Sequence, residues 1–182
     1  MAIAEPWQTA EIGGPKKALV ITKPAVVVAM IKKAKHPILV VGHEAVETEV
    51  GKKKAIDVII DLAKAAEIPV VATAHIVGEV VQRDFRPAAW MPAVDIGNRL
   101  KDSKWSGLDG GGQYDLALFV GIPYYMEWVI LSGLKHFAFN HLTTISLDRF
   151  YQPQATWSFP NTAIESWAEN LTVIGDELGG DV

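Results

Sequence analysis

The sequence predicts a three-layer α/β fold in which helices cover both faces of a doubly wound, mainly parallel sheet. Two short apolar runs, Ile38–Val41 and Leu116–Val120, are continuous rather than alternating, as in strands that are buried on both faces. Each run ends in a glycine, Gly42 or Gly121, and a helical pattern follows. Strands that alternate with helices along the chain are typical of a parallel sheet.

The composition is that of a globular domain. Of the 182 residues, 49% are hydrophobic and 21% are charged. The net charge of −4 does not indicate the basic surface that binds nucleic acid. The apolar runs are too short to span a bilayer, and the first residues lack the basic and apolar regions of a signal peptide. We therefore expect one cytoplasmic domain over residues 1–182 that binds neither nucleic acid nor membrane.

Several kinds of chemistry are excluded by the residue types. The chain contains no cysteine, which excludes disulfides, thiolate-ligated zinc, cysteine-ligated iron–sulfur clusters and a cysteine nucleophile. It also lacks the GxGxxG and Walker phosphate-binding motifs. An independent nucleotide-dependent hydrolase therefore has little support, and we expect no catalytic residue and no metal ligand on this chain.

The first segment, residues 1–21, has no sustained periodicity and is predicted to be an extended arm. The apolar side chain of Trp7 is expected to be buried, either against its own domain or against a partner. Thr22 is predicted to cap a helix over Lys23–Lys35, because Pro24 is tolerated in a first turn and apolar residues follow at helical spacing.

After the first predicted strand, apolar residues at helical spacing predict a long helix from Thr48 to Glu67. Lysines 52–54 would lie in its first turns, where they form either a solvated face or a site for phosphate or an acidic partner. Pro69 then opens a second strand, Val70–Thr73. A right-handed crossover places this strand beside the first one.

Between His75 and Gly112 the sequence pattern predicts secondary structure only weakly, and the clearest predicted element is a helix near Ala93–Lys101. The triple glycine Gly110–Gly112 precedes a strand, whereas phosphate-binding glycines follow one. We therefore interpret it as a flexible connector.

The last part of the chain repeats the strand-and-helix pattern. After Leu116–Val120, a helix is predicted over Tyr124–Lys135 and a strand over Thr143–Leu147. A final amphipathic helix is predicted to be capped by Asn161. Residues 22–149 would form the α/β core, and residues 150–182 a C-terminal extension with one helix.

Three segments resemble the middle domain of thiamine-diphosphate enzymes, a Rossmann-like NAD/FAD-binding fold shared with deoxyhypusine synthase. They are AMIKKAKHPILVVGHEA, AEIPVVATA, and YDLALFVGIPYY with LTTISLDRF. The resemblance spans most of residues 25–149 and implies the fold but not the chemistry. Because the chain lacks the thiamine-binding domains of those enzymes, we do not expect a decarboxylase or carboligase.

Nearly the whole chain resembles the epsilon subunits of the archaeal acetyl-CoA decarbonylase/synthase complex. KHPILVVG, LALFVGIPYY and above all FNHLTTISLDRFYQP carry this resemblance. It implies a non-catalytic accessory subunit that binds the large alpha subunit in a carbon monoxide dehydrogenase component of two alpha and two epsilon chains. Nickel and iron–sulfur chemistry would belong to alpha.

The fold predicts where a ligand would bind, because open α/β sheets bind ligands at the point where the strand order reverses. We expect this crevice to touch both glycine turns, with backbone amides available to phosphates. Asp148 follows the last predicted strand, where related flavin-binding domains use acids near adenosine. The predicted cofactor-binding residues are Gly42, His43, Glu44, Thr73, His75, Gly121, Ile122, Pro123, Tyr124 and Asp148.

The cofactor that this crevice would hold is FAD. This is the alternative to a non-catalytic accessory role: the chain accepts electrons from the clusters of its partner, and the flavin supplies the redox chemistry. A metal site formed by His43, Glu44 and His75 is a further alternative.

The six tryptophans are many for this length. Those at 90, 105, 157 and 167 lie in or beside irregular segments, which together favour a protein with an interface.

Overall fold

A computed structural model of the chain describes residues 16–180, and they form a parallel sheet between two layers of helices. The strands are β1 (Leu19–Val20), β2 (Pro37–Val41), β3 (Glu49–Val50), β4 (Lys53–Lys54), β5 (Val70–Ala72), β6 (Ala89–Trp90), β7 (Leu116–Val120), β8 (Thr143–Ser146) and β9 (Trp157–Ser158). The helices are α1 (Pro24–Lys33), α2 (Glu44–Glu47), α3 (Ala55–Ala65), α4 (Val77–Val81), α5 (Ala93–Lys101), α6 (Tyr124–Phe137) and α7 (Ile164–Gly179).

The seven strands of the main sheet lie in the order β1-β9-β8-β7-β2-β5-β6. Every neighbouring pair is parallel. β2 lies between β5 on one side and β7 on the other, so the order reverses between β2 and β7. The predicted three-layer, doubly wound arrangement and the position of the switch point are confirmed.

The two faces of the sheet bury separate apolar cores. Leu39 and Val41 of β2 face the layer of α1, α3 and α7, whereas Ile38 and Val40 face α5 and α6. All residues of β7 are buried as well. The continuous apolar runs in the sequence thus reflect burial on both faces, because successive side chains of a strand point to opposite sides.

The long helix predicted over Thr48–Glu67 is wrong in its first part. β3 and β4 form an antiparallel hairpin there, joined by Gly51 and Lys52. Gly51 has a φ of +61°, a conformation that glycine adopts without steric cost and that suits a two-residue hairpin loop. The lysines at 52–54 therefore lie in the hairpin and not in a helix, and α3 begins only at Ala55.

Two predicted helix caps are also wrong. α1 begins after Lys23, and no side chain caps it, so Thr22 does not have that role. α7 begins at Ile164. Asn161 instead accepts a hydrogen bond from Tyr151 N at 2.9 Å through its side-chain oxygen.

The ends of the chain contribute strands that the sequence pattern did not predict. β1 belongs to the predicted arm, and β9 follows residue 150, yet β9 lies between β1 and β8 in the sheet. α7 packs against α3 and α1. Trp7 and the rest of residues 1–15, together with residues 181–182, lie outside the described residues.

Candidate functional site

The two glycine turns at the switch point are packed directly on each other. Gly42 N donates to Val120 O at 2.8 Å, and Glu44 N donates to Gly121 O at 2.9 Å. A Cβ atom on Gly42 would lie 2.1 Å from Gly121 O, and one on Gly121 would lie 2.7 Å from Ala45 Cβ. Gly121 also has a φ of +72°. Both positions therefore require glycine, and no space is left between the turns.

Asp148 binds the second turn from the end of the next strand. Its Oδ1 accepts a hydrogen bond from Gly121 N at 2.8 Å, and Ile122 N also donates to its carboxyl group. Consecutive backbone amides at the start of a helix such as α6 are a common anion site. In this structure the anion is the protein's own carboxylate.

Glu127 of α6 completes a buried carboxyl pair with Asp148. Its side chain is 0% exposed and lies within hydrogen-bonding contact of the Asp148 carboxyl. Gln152 Nε2 donates to Glu127 Oε2 at 3.2 Å and to Tyr124 O at 2.8 Å. The pair thus connects the end of β8, the start of α6 and the segment after residue 150.

The environment raises the pKa of both acids. For Glu127, burial raises the pKa well above its usual range, and the charge of Asp148 adds to the increase. For Asp148, burial raises the pKa to about 7, although hydrogen bonds from Gly121 N and Glu127 oppose the shift. Two carboxylates in contact resist simultaneous ionisation, since each charge disfavours the other.

One proton satisfies the pair. Glu127 Oε1 and Asp148 Oδ2 are both buried and have no hydrogen-bond donor if both groups are ionised. A proton on Glu127 turns its carboxyl into a donor to Asp148. At neutral pH the pair therefore holds a proton, while Asp148 still accepts from the two backbone amides.

Glu127 is not among the residues predicted from the sequence, although the helical pattern contains a signal for it. The buried residues of α6 are Glu127, Ile130, Leu131 and Leu134, which is the spacing of a single helix face. A carboxyl group on the apolar face of a helix requires a partner, and that requirement points to Asp148.

The cavity beside the pair has a volume of about 40 Å³. It brings together five of the predicted residues, and these are Glu44, Gly121, Ile122, Tyr124 and Asp148. The other lining residues are Ala45, Thr48, Glu127, Arg149, Phe150 and Trp167. Ligand pockets commonly occupy roughly 300–1,000 Å³, so this cavity has space for water but not for FAD in this arrangement.

The remaining predicted site residues lie outside this lining. Gly42 is buried beneath the contact between the turns, and Pro123 is half-buried just before α6. Thr73 is buried, and its hydroxyl has no hydrogen-bond partner. His43 is half-buried and His75 is exposed.

The metal alternative formed by His43, Glu44 and His75 is not supported by the arrangement. Within residues 16–180, no group of three or more histidine, aspartate or glutamate side chains is placed to hold a metal ion.

Over residues 2–174 the chain matches the family described as CO dehydrogenase beta subunit/acetyl-CoA synthase epsilon subunit. The chain belongs to this family. The resemblance on which the sequence analysis relied is therefore confirmed.

Three relatives are named epsilon subunits of the acetyl-CoA decarbonylase/synthase complex. The protein of Methanothermobacter thermautotrophicus is 37% identical over 166 residues, which are 91% of this chain and 91% of that protein. The protein of Methanothrix soehngenii is 38% identical over 159 residues, 87% of this chain and 81% of its own. Epsilon 1 of Archaeoglobus fulgidus is 37% identical over 160 residues, 87% and 82% of the two chains.

The tryptophans of this epsilon-family chain do not share one role. Trp167 is buried, and its Nε1 donates to Leu147 O at 2.6 Å. Trp90, by contrast, is 64% exposed, whereas Trp105 and Trp157 are half-buried. Trp167 therefore belongs to the core, and the joint expectation of an interface stays a prediction.

The helices of this family member do not have the length and apolar character of a membrane span in the part of the chain that the structure describes.

Proposed function

We propose that this chain is an accessory subunit of the acetyl-CoA decarbonylase/synthase complex. It binds the large alpha subunit of the carbon monoxide dehydrogenase component and stabilises an assembly of two alpha and two epsilon chains. The nickel and iron–sulfur chemistry takes place on alpha, and this chain supplies no catalytic residue.

The observation that carries this proposal is the match to epsilon subunits over nearly the full length of the chain. The site geometry is consistent with it. The polar groups at the switch point bind one another, because the Gly121 and Ile122 amides donate to Asp148, and Glu127 contacts the same carboxyl. This arrangement positions the β7–α6 turn and leaves those amides with an internal partner.

The test is reconstitution with the large subunit from the same organism. Mixing the two purified chains should give a complex whose mass, measured by light scattering after gel filtration, corresponds to two copies of each. The carbon monoxide dehydrogenase activity of the large subunit should also survive heating longer in the presence of this chain. Separate elution and an unchanged inactivation rate would contradict the proposal.

The second candidate function is FAD binding for electron transfer, and the position of the glycine turns at the switch point favours it. Because the cavity there measures about 40 Å³, FAD requires that its walls move. Phe150 is the side chain to test, since it lines the cavity and is partly exposed.

Flavin titration of the chain and of its complex with the large subunit tests this second function. If FAD enters the cavity, fluorescence should show saturable binding, and Phe150→Ala should change the Kd several-fold. Phe139→Ala is the matched control, since Phe139 is exposed and does not line the cavity. Absence of binding in both states would exclude the flavin function. Gly121 is unsuitable for this test, because any side chain there would collide with Ala45.

A further inference from the structure

The segment between α5 and β7 forms a closed loop at the edge of the sheet where β2 and β7 begin. Gly112 N donates to Ser106 O at 2.9 Å, which brings the two ends of the loop together. Gly107 has a φ of +81°, and a Cβ atom there would lie 2.6 Å from Gly112 O. This closure therefore requires glycine at 107. We call residues 105–113 the connector loop.

The side chain of His36 lies beside the connector loop in a fixed position. The backbone of His36 is held at the start of β2, because its N donates to Asp115 Oδ1 at 2.9 Å and its O accepts from Asp115 N at 3.1 Å. Its ring is stacked on the buried ring of Tyr114, with 4.1 Å between the ring centres. The Tyr114 hydroxyl in turn accepts a hydrogen bond from Leu108 N at 3.2 Å. Two aromatic rings thus connect the loop to the sheet.

Both nitrogens of the His36 ring face oxygen atoms that accept hydrogen bonds. Nδ1 lies 3.2 Å from Gln113 O, and Nε2 lies 3.4 Å from Asp109 Oδ2. A neutral imidazole has one N–H group and one lone pair, whereas the protonated ring has two N–H groups. With a neutral ring, one of the two contacts places a lone pair against an oxygen atom. Only the protonated ring satisfies both contacts.

Asp109 is the charged side chain that faces the ring. A hydrogen bond from a backbone amide of the loop lowers the pKa of Asp109, so its carboxyl is ionised at neutral pH. Asp115 is the other acid beside His36, and its two oxygens accept hydrogen bonds from the backbone amides of Lys35 and His36. The Lys35 residue is exposed, and burial raises the pKa of Tyr114, so this phenol stays uncharged. Asp109 therefore supplies the negative charge in the contact.

We propose that the contact of His36 with Asp109 makes the connector loop sensitive to pH. The protonated ring donates to Gln113 O and attracts the Asp109 carboxylate, and the loop is closed. Loss of the proton turns a lone pair toward one of these oxygens, and the loop opens more often. Histidine side chains commonly change charge between about pH 5 and pH 8, so a change of pH within that range changes how often the loop is open.

Opening of the loop exposes apolar surface near the start of β7. Trp105 and Leu108 are partly buried and pack against the core on the side of the sheet that α5 and α6 cover. The rings of Trp105 and Tyr114 lie 5.6 Å apart. Folded proteins open locally at segments of this kind without unfolding as a whole. The inference does not rest on the proposed function, because every one of these contacts lies within the chain.

Hydrogen exchange of the full-length chain, followed by mass spectrometry, tests the proposal at about pH 5.5 and about pH 7.5, on the two sides of the histidine range. Protection factors, corrected for the intrinsic pH dependence of exchange, are compared for peptides from residues 105–113. We expect the protection of wild type to fall about two- to fivefold between these values, as for a partly exposed ion pair. His36→Gln and Asp109→Asn should each lower the protection at the acidic value and remove most of the fall.

Two substitutions are matched controls. Asp102→Asn removes the charge of an exposed acid just after α5, where Oδ1 accepts a hydrogen bond from Lys104 N at 2.9 Å. His136→Gln removes an exposed histidine of α6. Both variants should keep the wild-type fall in protection.

Equal protection of the wild-type loop at the two pH values would overturn the proposal. A wild-type fall that persists in Asp109→Asn would also overturn it, because another group would then carry the effect. Melting curves establish that each variant is folded. The Asp109 side chain is 65% exposed, so Asp109→Asn should fold normally, and it decides the question if His36→Gln does not fold.

Discussion

Two glycines determine how closely the turns after β2 and β7 approach each other. Gly42 and Gly121 are in backbone contact, and each lacks room for even one carbon atom. Gly133 on the surface of α6 is not restricted in this way, because a Cβ atom there would have no neighbour within 4 Å. Substitution by alanine should therefore lower the free energy of unfolding at Gly42 and raise it at Gly133.

Gly42→Ala should lower the free energy of unfolding by about 3 kcal/mol or more, because the new Cβ must displace backbone atoms of Gly121. Gly133→Ala is the matched control. It should raise the free energy of unfolding by about 0.5–1 kcal/mol, because alanine favours the helical conformation more than glycine. Urea denaturation of the isolated variants measures both values. A Gly42→Ala protein as stable as wild type would show that the turns can separate at little cost.

The carboxyl pair of Glu127 and Asp148 predicts a pH dependence of stability. Because burial raises the pKa of both acids, the folded state holds its protons more tightly than the unfolded state does. The pair contributes its full stabilisation of the folded state only below about pH 4, which is the pKa of these acids in the unfolded chain. It is lost as the pH rises through the folded pKa, which is about 7 for Asp148.

We therefore expect the contribution of the pair to the melting temperature of the wild-type chain to fall between about pH 4, the unfolded pKa, and about pH 7, the folded pKa of Asp148. Asp148→Asn removes one of the titrating groups and should reduce that fall, with scanning calorimetry as the measurement. Glu169→Gln is the control, since Glu169 is an exposed acid of α7, and it should preserve the wild-type dependence. An Asp148→Asn protein with the wild-type dependence would show that the pair does not carry the effect.

At the scale of elements, Asp57 joins three segments at the start of α3. Its Oδ2 accepts a hydrogen bond from Lys54 N at 2.9 Å, and its Oδ1 accepts one from Arg83 Nε at 2.6 Å. Arg83 follows α4 and also binds Glu79 through Nη1 at 2.9 Å. Burial acts to raise the pKa of Asp57, but the hydrogen bonds from Arg83 and Lys54 N outweigh it, and the pKa lies below its usual value.

Asp57→Ala should lower the free energy of unfolding by about 1–2 kcal/mol, because it removes a helix cap and an ion pair together. Asp61→Ala on the same helix is the control. Asp61 pairs with Lys53 at 3.8 Å, and both side chains are largely exposed, so its loss should change stability by less than about 0.5 kcal/mol. Equal effects of the two substitutions in chemical denaturation would show that the Asp57 contacts add nothing beyond a surface pair.

Elements with a strong local pattern were predictable from the sequence, and those defined by long-range pairing were not. α5 and β7 have the predicted ends, because each contains an apolar pattern of sufficient length. β1, β6 and β9 contain two residues each, which is too short for any periodicity. The hairpin of β3 and β4 was missed because the apolar pattern of α3 was extended across Gly51.

At the scale of the molecule, the sequence predicted the three layers and the location of the switch point. It placed Glu44, Gly121, Ile122, Tyr124 and Asp148 together, and the structure does the same. The contact of Asp148 with backbone amides of its own chain was not predicted. That contact depends on the register between β7 and β8, which no local pattern determines.

The short outer strands limit the ways in which this protein can associate with others. The two edge strands of the sheet, β1 and β6, consist of two residues each. A polypeptide that paired with either edge strand would form few main-chain hydrogen bonds. Short edge strands of this kind protect natural sheets from open-ended aggregation. Recognition by side chains on a helical surface, with a defined stoichiometry, is the mode of assembly that remains favourable.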